Sequence, residues 1–160
     1  MTTTCSSPAM PKKKSPKVTL IVGLPGSGKT FLAHDLARSE DARVFDDMKM
    51  SDLKDIRKDI LRHKKNMILV SPQLCFEATR KLVEATVKEW GATVQVIYFE
   101  NDPEQCLKNV ESRDDGRKVY FFIRDVSKEY KIPEDVNVIC RVWRPEDETV
   151  DAPSRWIDNA

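Results

Sequence analysis

The sequence predicts an α/β fold in which a five-stranded parallel sheet is flanked by helices. Short apolar runs rich in β-branched residues alternate with longer stretches of helical periodicity, and this alternation is typical of parallel sheets covered by helices. The five runs are Val18–Val22, Arg43–Phe45, Met67–Val70, Val94–Phe99 and Val136–Ile139. With 160 residues, 40% of them hydrophobic, the chain is long enough for one compact domain.

The stretches between the runs place apolar residues at the spacing of one helix face. Leu53, Ile56, Ile60 and Leu61 follow this spacing, as do the apolar residues from Phe76 to Trp90, and Gly91 is positioned to end that helix. Asp102 and Pro103 supply an N-cap and a first helical residue after the fourth run. Pro133 marks the end of a last helix before the fifth strand.

Three segments differ in composition. Residues 1–17 are polar and basic with few large apolar side chains, so they predict a disordered tail. The Lys12–Lys14 run of this tail is a solvated tether, a phosphate contact or a targeting address. Residues 18–145 form the predicted domain, and residues 146–160 form a polar C-terminal tail.

Overall composition excludes several classes of function. Lys and Arg (27) nearly balance Asp and Glu (26), which gives a net charge of +1 and no global signature of a nucleic-acid binder, although a local basic groove is compatible with it. Cys5, Cys75, Cys106 and Cys140 have no metal-ligand spacing, so buried or incidental thiols are expected. No apolar run approaches the roughly 20 residues of a membrane span, so we expect a soluble cytoplasmic protein with no membrane partner.

A phosphate-binding motif of the form GxxxxGK[ST] directly follows the first strand and precedes a helical stretch. It consists of Gly23, Leu24, Pro25, Gly26, Ser27, Gly28, Lys29 and Thr30. Glycines allow successive backbone N–H groups to converge on phosphates, Lys29 would neutralise the β- and γ-phosphates, and the Thr30 hydroxyl would bind Mg²⁺. The motif therefore predicts ATP and Mg²⁺ as the bound nucleotide and metal, against the alternative of a chance glycine-rich turn.

Two aspartates and a lysine follow the second strand as Asp46, Asp47 and Lys49. Ligands bind at the carboxyl ends of strands in open α/β sheets, so a carboxylate here is placed to accept the proton of an attacking hydroxyl while a cation holds the acceptor. The alternative is that one of the aspartates caps the next helix.

Two arginines flank a short polar connection between predicted helices, Arg113 before Asp114-Asp115-Gly116 and Arg117 after it. Guanidinium groups here can offset the charge that develops during phosphoryl transfer. In isolation the same spacing would indicate a solvated helix face.

These elements resemble the small P-loop kinases that include polynucleotide 5'-hydroxyl kinases, zeta-toxin-like kinases and related bacteriophage enzymes. The resemblance spans about Val18 to Trp143, and within that span it also rests on the Phe99–Cys106 junction, FENDPEQC. It implies a P-loop NTPase fold of the nucleoside-kinase-like type with a short arginine lid formed by Arg113 and Arg117. It further implies Asp46 as general base, with Asp47 and Lys49 on the acceptor side, where family members often carry arginine in place of Lys49.

The resemblance also suggests an acceptor. The FENDPEQC junction and the short chain are most similar to bacteriophage kinases that phosphorylate 5-hydroxymethyluracil in viral DNA during base hypermodification. A polynucleotide 5'-hydroxyl kinase and a free-nucleotide kinase are close alternatives. An ATP-binding regulatory switch is an alternative of another class, and it would need Gln73 to orient water.

One departure from the family pattern concerns the metal. Relatives often end the third strand with an aspartate, whereas this chain continues into Ser71 and Pro72. Because serine is a weaker Mg²⁺ ligand than a carboxylate, the metal is expected to rely on Thr30 and on Asp46 or Asp47.

Overall fold

The structure, a computed structural model, describes residues 15–113 and 119–149. Five parallel strands form one sheet in the order β2-β3-β1-β4-β5, as the sequence predicts. The strands are β1 (Lys17–Val22), β2 (Arg43–Phe45), β3 (Met67–Val70), β4 (Thr93–Phe99) and β5 (Ile139–Cys140). The helices are α1 (Lys29–Glu40), α2 (Leu53–Lys58), α3 (Glu77–Glu89), α4 (Pro103–Arg113) and α5 (Tyr120–Glu129).

The central strand β1 explains why the first apolar run has no polar alternation. Leu20 pairs with Leu69 of β3 on one side and with Val96 of β4 on the other. Strands covered by helices on both faces bury both sets of side chains. Accordingly, every β1 residue from Val18 to Val22 is buried, which places the loop after β1 at the middle of the sheet edge.

A hydrophobic core lies on each face of the sheet. The larger one packs Leu20 and Leu69 against residues of α2, α3 and α5, including Ile56, Val83 and Ile123. The smaller one packs Ile21 and Ile68 beneath α1, including Leu32. At roughly 25 cal/mol per Å² of buried apolar surface, these two cores are the main stabilising contribution to the fold.

The fifth strand differs from its prediction. It is Ile139–Cys140, paired with Tyr98 and Phe99, rather than Val136–Ile139. The Val136 N–H donates to the Pro133 carbonyl oxygen in a turn (3.2 Å), so the first part of the apolar run is not available for the sheet. The buried end of the strand is Cys140, whereas Ile139 is partly exposed.

Regular structure extends a few residues to either side of the predicted domain of residues 18–145. Strand β1 begins at Lys17, the last residue of the predicted tail, and the Lys17 N–H donates to Asn66 Oδ1 (2.9 Å). A 3₁₀ turn occupies Pro145–Thr149. Asp147 in this turn is buried, and its carboxylate pairs with Arg141 and accepts from the Arg144 N–H (2.8 Å). The ordered domain thus includes the start of the predicted C-terminal tail.

The connection from β2 to β3 carries the second helical stretch of the sequence. A 3₁₀ turn, Met50–Asp52, leads into α2, and α2 continues as a π-helical turn, Asp59–His63. Asp59 is buried and pairs with Arg43 of β2 (2.7 Å), which fixes this turn against the edge strand. Within residues 15–113 and 119–149, no helix is both long and apolar enough to cross a membrane.

Candidate functional site

The phosphate loop connects β1 to α1 in the conformation that its glycines allow. Gly26 and Gly28 have φ values of 88° and 103°, in the left-handed region that favours glycine. The Ser27 N–H donates to the Leu24 carbonyl oxygen (3.1 Å), and α1 begins at Lys29 directly after Gly28. The loop therefore ends at a helix N-terminus, whose free N–H groups favour bound anions.

Gly26 is required by packing as well as by backbone conformation. A Cβ on Gly26 would lie 2.6 Å from the Cys106 carbonyl oxygen and 2.9 Å from a Val110 methyl group, both on α4. Position 26 is one of the variable positions of the motif, so its glycine follows from this close approach of α4.

Asn109 of α4 joins the phosphate loop to the segment after β5. Its buried side-chain amide donates to the Gly26 carbonyl oxygen (2.8 Å) and to the Trp143 carbonyl oxygen (2.7 Å). Gln105 donates to the Asn109 oxygen (2.9 Å), and the Trp143 N–H donates to the Ser27 carbonyl oxygen (2.9 Å). Two distant parts of the chain thus fix the loop before any ligand binds.

Lys29 lies almost fully buried beneath the loop. Its Nζ donates to the Leu24 carbonyl oxygen (2.8 Å), and only 8% of the residue is exposed. Burial lowers the pKa of Lys29 to about 8, because the charged ammonium loses its hydration there. A bound polyphosphate would favour the charged form of this ammonium and offset its lost hydration.

Two of the predicted buried thiols lie near Lys29. Cys75 and Cys106 are free and buried, and burial raises the pKa of Cys75 to about 11 and that of Cys106 to about 12. Both groups are therefore neutral at physiological pH and do not offset the positive charge of Lys29. Cys140 is also free and buried, whereas Cys5 lies outside the described residues.

Asp46 lies opposite the loop and contacts it directly. The Thr30 hydroxyl donates to Asp46 Oδ1 at 3.2 Å. The Met48 N–H donates to the Val70 carbonyl oxygen (2.8 Å), which holds the backbone beyond β2 against the end of β3. Asp47 adopts a left-handed φ of 54°, a conformation that Asp and Asn tolerate better than most residues.

Neither aspartate caps the following helix, which was the alternative interpretation. The 3₁₀ turn that starts this segment is preceded by Lys49, whose N–H donates to Asp52 Oδ2 (2.9 Å). Asp52 performs the capping role, so both aspartates are available for other contacts.

One pocket of about 800 Å³ brings these groups together. The predicted residues that line it are Pro25, Gly26, Lys29, Thr30, Asp46, Asp47 and Arg113. Arg113 is the last residue of α4 and is exposed. Phosphate-loop, acidic and cationic groups therefore share a single cleft at the carboxyl edge of the sheet.

Some predicted residues lie elsewhere. Arg117 falls outside the described residues, and Lys49 is exposed but does not line the pocket. Gln73, the residue that a water-orienting switch would need, is also exposed outside the pocket lining, and its backbone N–H donates to Ser71 Oγ (3.2 Å).

The site fits the ligands that the motif implies. Ser27 Oγ is fully buried in the loop without a hydrogen-bond partner among the described residues. Thr30 and Asp46 offer adjacent oxygens to a metal, whereas Ser71 is buried as the cap of the 3₁₀ turn at Pro72–Cys75. Residues 15–113 and 119–149 contain no group of three His, Cys, Asp or Glu side chains arranged for a metal. The Mg²⁺ site would thus be completed by phosphates and water.

Sequence reasoning did not identify Asn109 or the outer wall of the pocket. That wall contains Phe31, His34 and Arg38, spaced along one face of α1. Their spacing of three and then four residues, which places them on one helix face, was visible in the sequence. Asn109 gave no such signal, because its partner Gly26 lies 83 residues away.

Comparisons with known proteins are consistent with this geometry at the level of fold. A gluconokinase from Sinorhizobium meliloti 1021 superimposes with a TM-score of 0.60 at 12% identity, covering 84% of this chain and 87% of that one. A chain of the Pnkp1/Rnl/Hen1 RNA repair complex gives a TM-score of 0.48 at 17% identity, covering 89% of this chain and 56% of that one, which is too low to support an argument. The fold is that of P-loop kinases.

A sequence relative supplies the family. No family model matches the chain. "Uncharacterized protein R277" of Acanthamoeba polyphaga mimivirus is 33% identical over 120 residues, which cover 72% of this chain and 87% of the relative. The relative comes from a mimivirus and not from a bacteriophage, so it lends no support to the bacteriophage interpretation. With its P-loop kinase fold, the chain belongs to the same protein family as this mimivirus protein.

Proposed function

We propose that the protein is an ATP-dependent kinase that transfers the γ-phosphate to a hydroxyl group. The observation that carries this proposal is the hydrogen bond from Thr30 to Asp46 (3.2 Å). It links the residue that ends the phosphate-loop motif, after β1, to a carboxylate directly after the end of β2. A carboxylate in that position is useful to a transferase, because the attacking hydroxyl must lose its proton close to the γ-phosphate.

The chain's own residues divide the work of the reaction. The loop N–H groups and Lys29 hold the phosphates, and Arg113 offsets charge on the transferred group. The Asp46 carboxylate accepts the acceptor's proton while the hydroxyl oxygen bonds to the γ-phosphorus and the bond to the β,γ-bridging oxygen breaks, releasing ADP. Mg²⁺ at Thr30 would supply charge neutralisation and alignment of the phosphates.

The competing switch function is less well supported by the pocket. Gln73 does not line it, whereas Asp46 and Arg113 do. For Arg117, Asp47 and Lys49 we retain the roles that the family resemblance implies: Arg117 on the transferred phosphate, and Asp47 and Lys49 on the acceptor.

The acceptor classes can be tested side by side. We propose a nucleic-acid or nucleotide hydroxyl, with 5-hydroxymethyluracil in DNA as the first candidate and a 5'-hydroxyl polynucleotide end or a free nucleotide as the others. Gluconate is a useful comparison acceptor, because the structural neighbour is named as a gluconokinase.

The experiment measures ATP turnover with Mg²⁺ in the absence and presence of each acceptor, followed by mass spectrometry of the products. The kinase proposal predicts that one class raises turnover by orders of magnitude and gains one phosphate. Lys29→Met prepared in parallel controls for contaminating kinases. ATP turnover that releases only inorganic phosphate, unchanged by every acceptor, would support the switch instead.

A further inference from the structure

Positive charge is concentrated in the segment that follows the predicted acceptor residues. Residues 54–65 contain six Lys or Arg side chains and two acidic ones, although the whole chain carries a net charge of only +1. One of the two acids, Asp59, is buried and paired with Arg43 (2.7 Å). Asp55 is therefore the one acid of this segment that remains at the surface to balance its cations.

Four of these cations form one surface, which we call the basic face: Lys54, Arg57, Lys58 and Arg62. Together with Leu61 they line a cup of about 270 Å³ on α2 and the π-helical turn. All four are exposed, and none makes a side-chain hydrogen bond or ion pair with another described residue. Unpaired cations that converge on one concave surface raise the local concentration of anions there.

The opposite face of the same helix excludes one kind of anionic partner. Ile56 and Ile60 are fully buried in the protein core, so the helix has no free apolar face to insert between lipids. Leu61 is the single large apolar residue on the basic face, with 42% of its surface exposed. A membrane surface is therefore a poorer match than a dissolved polyanion.

The spacing of the cations favours a chain of phosphates. Lys54 and Lys58 lie four residues apart in α2, which places them about 6 Å apart along the helix axis, and Arg62 follows four residues later in the π-helical turn. This separation is comparable with that of neighbouring phosphates along a nucleic-acid strand. One 3₁₀ turn, Met50–Asp52, separates the basic face from Lys49 and the two aspartates.

We propose that the basic face binds the phosphodiester backbone of a single-stranded nucleic acid and thereby holds the strand whose hydroxyl is phosphorylated. The identity of the strand as acceptor rests on the proposed kinase function, whereas binding to the basic face does not. Because cations supply the contacts and no aromatic ring lines the cup, the binding tolerates different base sequences and weakens as salt rises.

The first experiment measures the binding of a labelled oligothymidylate by fluorescence anisotropy over a range of salt concentrations. The oligonucleotide has about 20 nucleotides, which is longer than the usual single-strand site size. The basic-face variant combines Lys54→Glu with Lys58→Glu. The control variant combines Lys88→Glu with Lys128→Glu, which reverse two other exposed helical lysines and give the same net charge. The basic-face variant should bind at least about tenfold more weakly, and the plot of log K against log[salt] should lose about 1.4 units of slope. The control should bind within about twofold of the wild-type protein, because a remote charge acts only through screened long-range attraction.

Equal weakening by both double variants would overturn the proposal, as would an absence of oligonucleotide binding by the wild-type protein. Phosphatidylserine vesicles and polyglutamate serve as competitors. Competition as strong as that of unlabelled oligonucleotide would assign the basic face to a different class of partner and overturn the nucleic-acid proposal.

The second experiment separates this inference from the kinase function. Phosphoryl transfer is measured for the same variants with a long hydroxyl-bearing oligonucleotide and with the corresponding nucleoside. A higher KM for the oligonucleotide alone, with kcat unchanged, is the expected result. Intact nucleic-acid binding without transfer to any acceptor would refute the kinase proposal but leave the basic face in place. Transfer with unchanged KM in the basic-face variant would refute the inference alone.

Discussion

The phosphate loop is held by groups from α4 and from the segment after β5, whereas the aspartates opposite it have one side-chain hydrogen bond among the described residues. Asn109 and Trp143 fix the loop, and Lys29 is buried beneath it. Asp46 and Asp47 are both exposed, and Thr30 supplies their one contact. The half of the pocket at the phosphate loop is therefore preorganised, and the half at the aspartates, where we propose that the acceptor binds, is more open.

The largest effect should come from the rigid half. Lys29→Met retains the aliphatic stem but removes the charge that phosphate requires, so phosphoryl transfer should fall by about 1,000-fold or more. Circular dichroism should show an unchanged fold, because the ammonium contributes no packing to the core. Activity within a few fold of the wild-type value would refute the role of the loop.

Asp46→Asn tests the open half. The amide retains the shape of the side chain but cannot accept the hydroxyl proton, so kcat should fall by about 100-fold while ATP affinity is retained. Asp47→Asn is the matched control, since asparagine also tolerates its left-handed φ. The control should change the acceptor KM and leave kcat within a few fold. The opposite pattern would move the general base to Asp47.

Arg113→Ala tests the cation that faces both halves. A guanidinium that offsets developing charge acts mainly in the transition state, so kcat should fall by about 10- to 100-fold with little change in ATP affinity. Arg124→Ala is the control, because Arg124 is exposed and lies over Tyr120 (4.8 Å) outside the pocket. Equal kcat values for the two variants would make Arg113 a solvated surface residue.

Asn109→Ala tests whether the rigidity of the loop matters for binding. Loss of two buried donations, to Gly26 and to Trp143, should weaken ATP binding by about tenfold and destabilise the protein by about 2–4 kcal/mol. Calorimetry and thermal unfolding measure the two effects. Gln105→Ala removes only the hydrogen bond that Gln105 donates to Asn109, so it should have a smaller effect on ATP affinity and on stability. Unchanged ATP affinity in Asn109→Ala would mean that the loop is organised by other contacts.

The smallest effect concerns pH. Because the pKa of Lys29 is about 8, ATP binding above that pH must take up a proton, and affinity should fall by about fourfold between pH 7.0 and 8.5. The stability of the ATP-free protein should change in the opposite direction. The unfolded lysine retains its proton up to about pH 10.5, so stability should rise by about 3 kcal/mol between pH 8 and 10.5. Lys29→Met should lack both dependences, and identical pH profiles for the two proteins would refute the assignment.

The difference between the two halves also explains what the sequence could predict. A loop specified by local backbone geometry within eight residues leaves a readable motif, and the strand and helix around it follow from short-range periodicity. Asn109 belongs to no recognisable sequence motif, because its contact with Gly26 depends on how α4 packs against the phosphate loop. The fifth strand begins later than predicted for a related reason. A turn at Pro133 removes Val136 from an apolar run that the sequence alone indicates as strand.

The acceptor residues occupied the expected strand end, but their roles depended on family resemblance. An exposed aspartate with one contact has few structural constraints, so its residue type carries little information about its ligand. The basic face was missed because charges spaced along a helix resemble an ordinary solvated surface until their missing partners are known.

The connection between β2 and β3 has an evolutionary consequence. Asp46, Asp47 and the basic face all belong to this one stretch of chain, whereas Lys29 and the groups that fix the phosphate loop come from α1, α4 and the segment after β5. Apart from Asp46, which accepts from Thr30, substitutions within the connection can alter the proposed acceptor site without disturbing the hydrogen bonds that fix the loop. If the protein is the kinase that we propose, relatives with this fold can therefore diverge in what they phosphorylate while retaining the same phosphate loop.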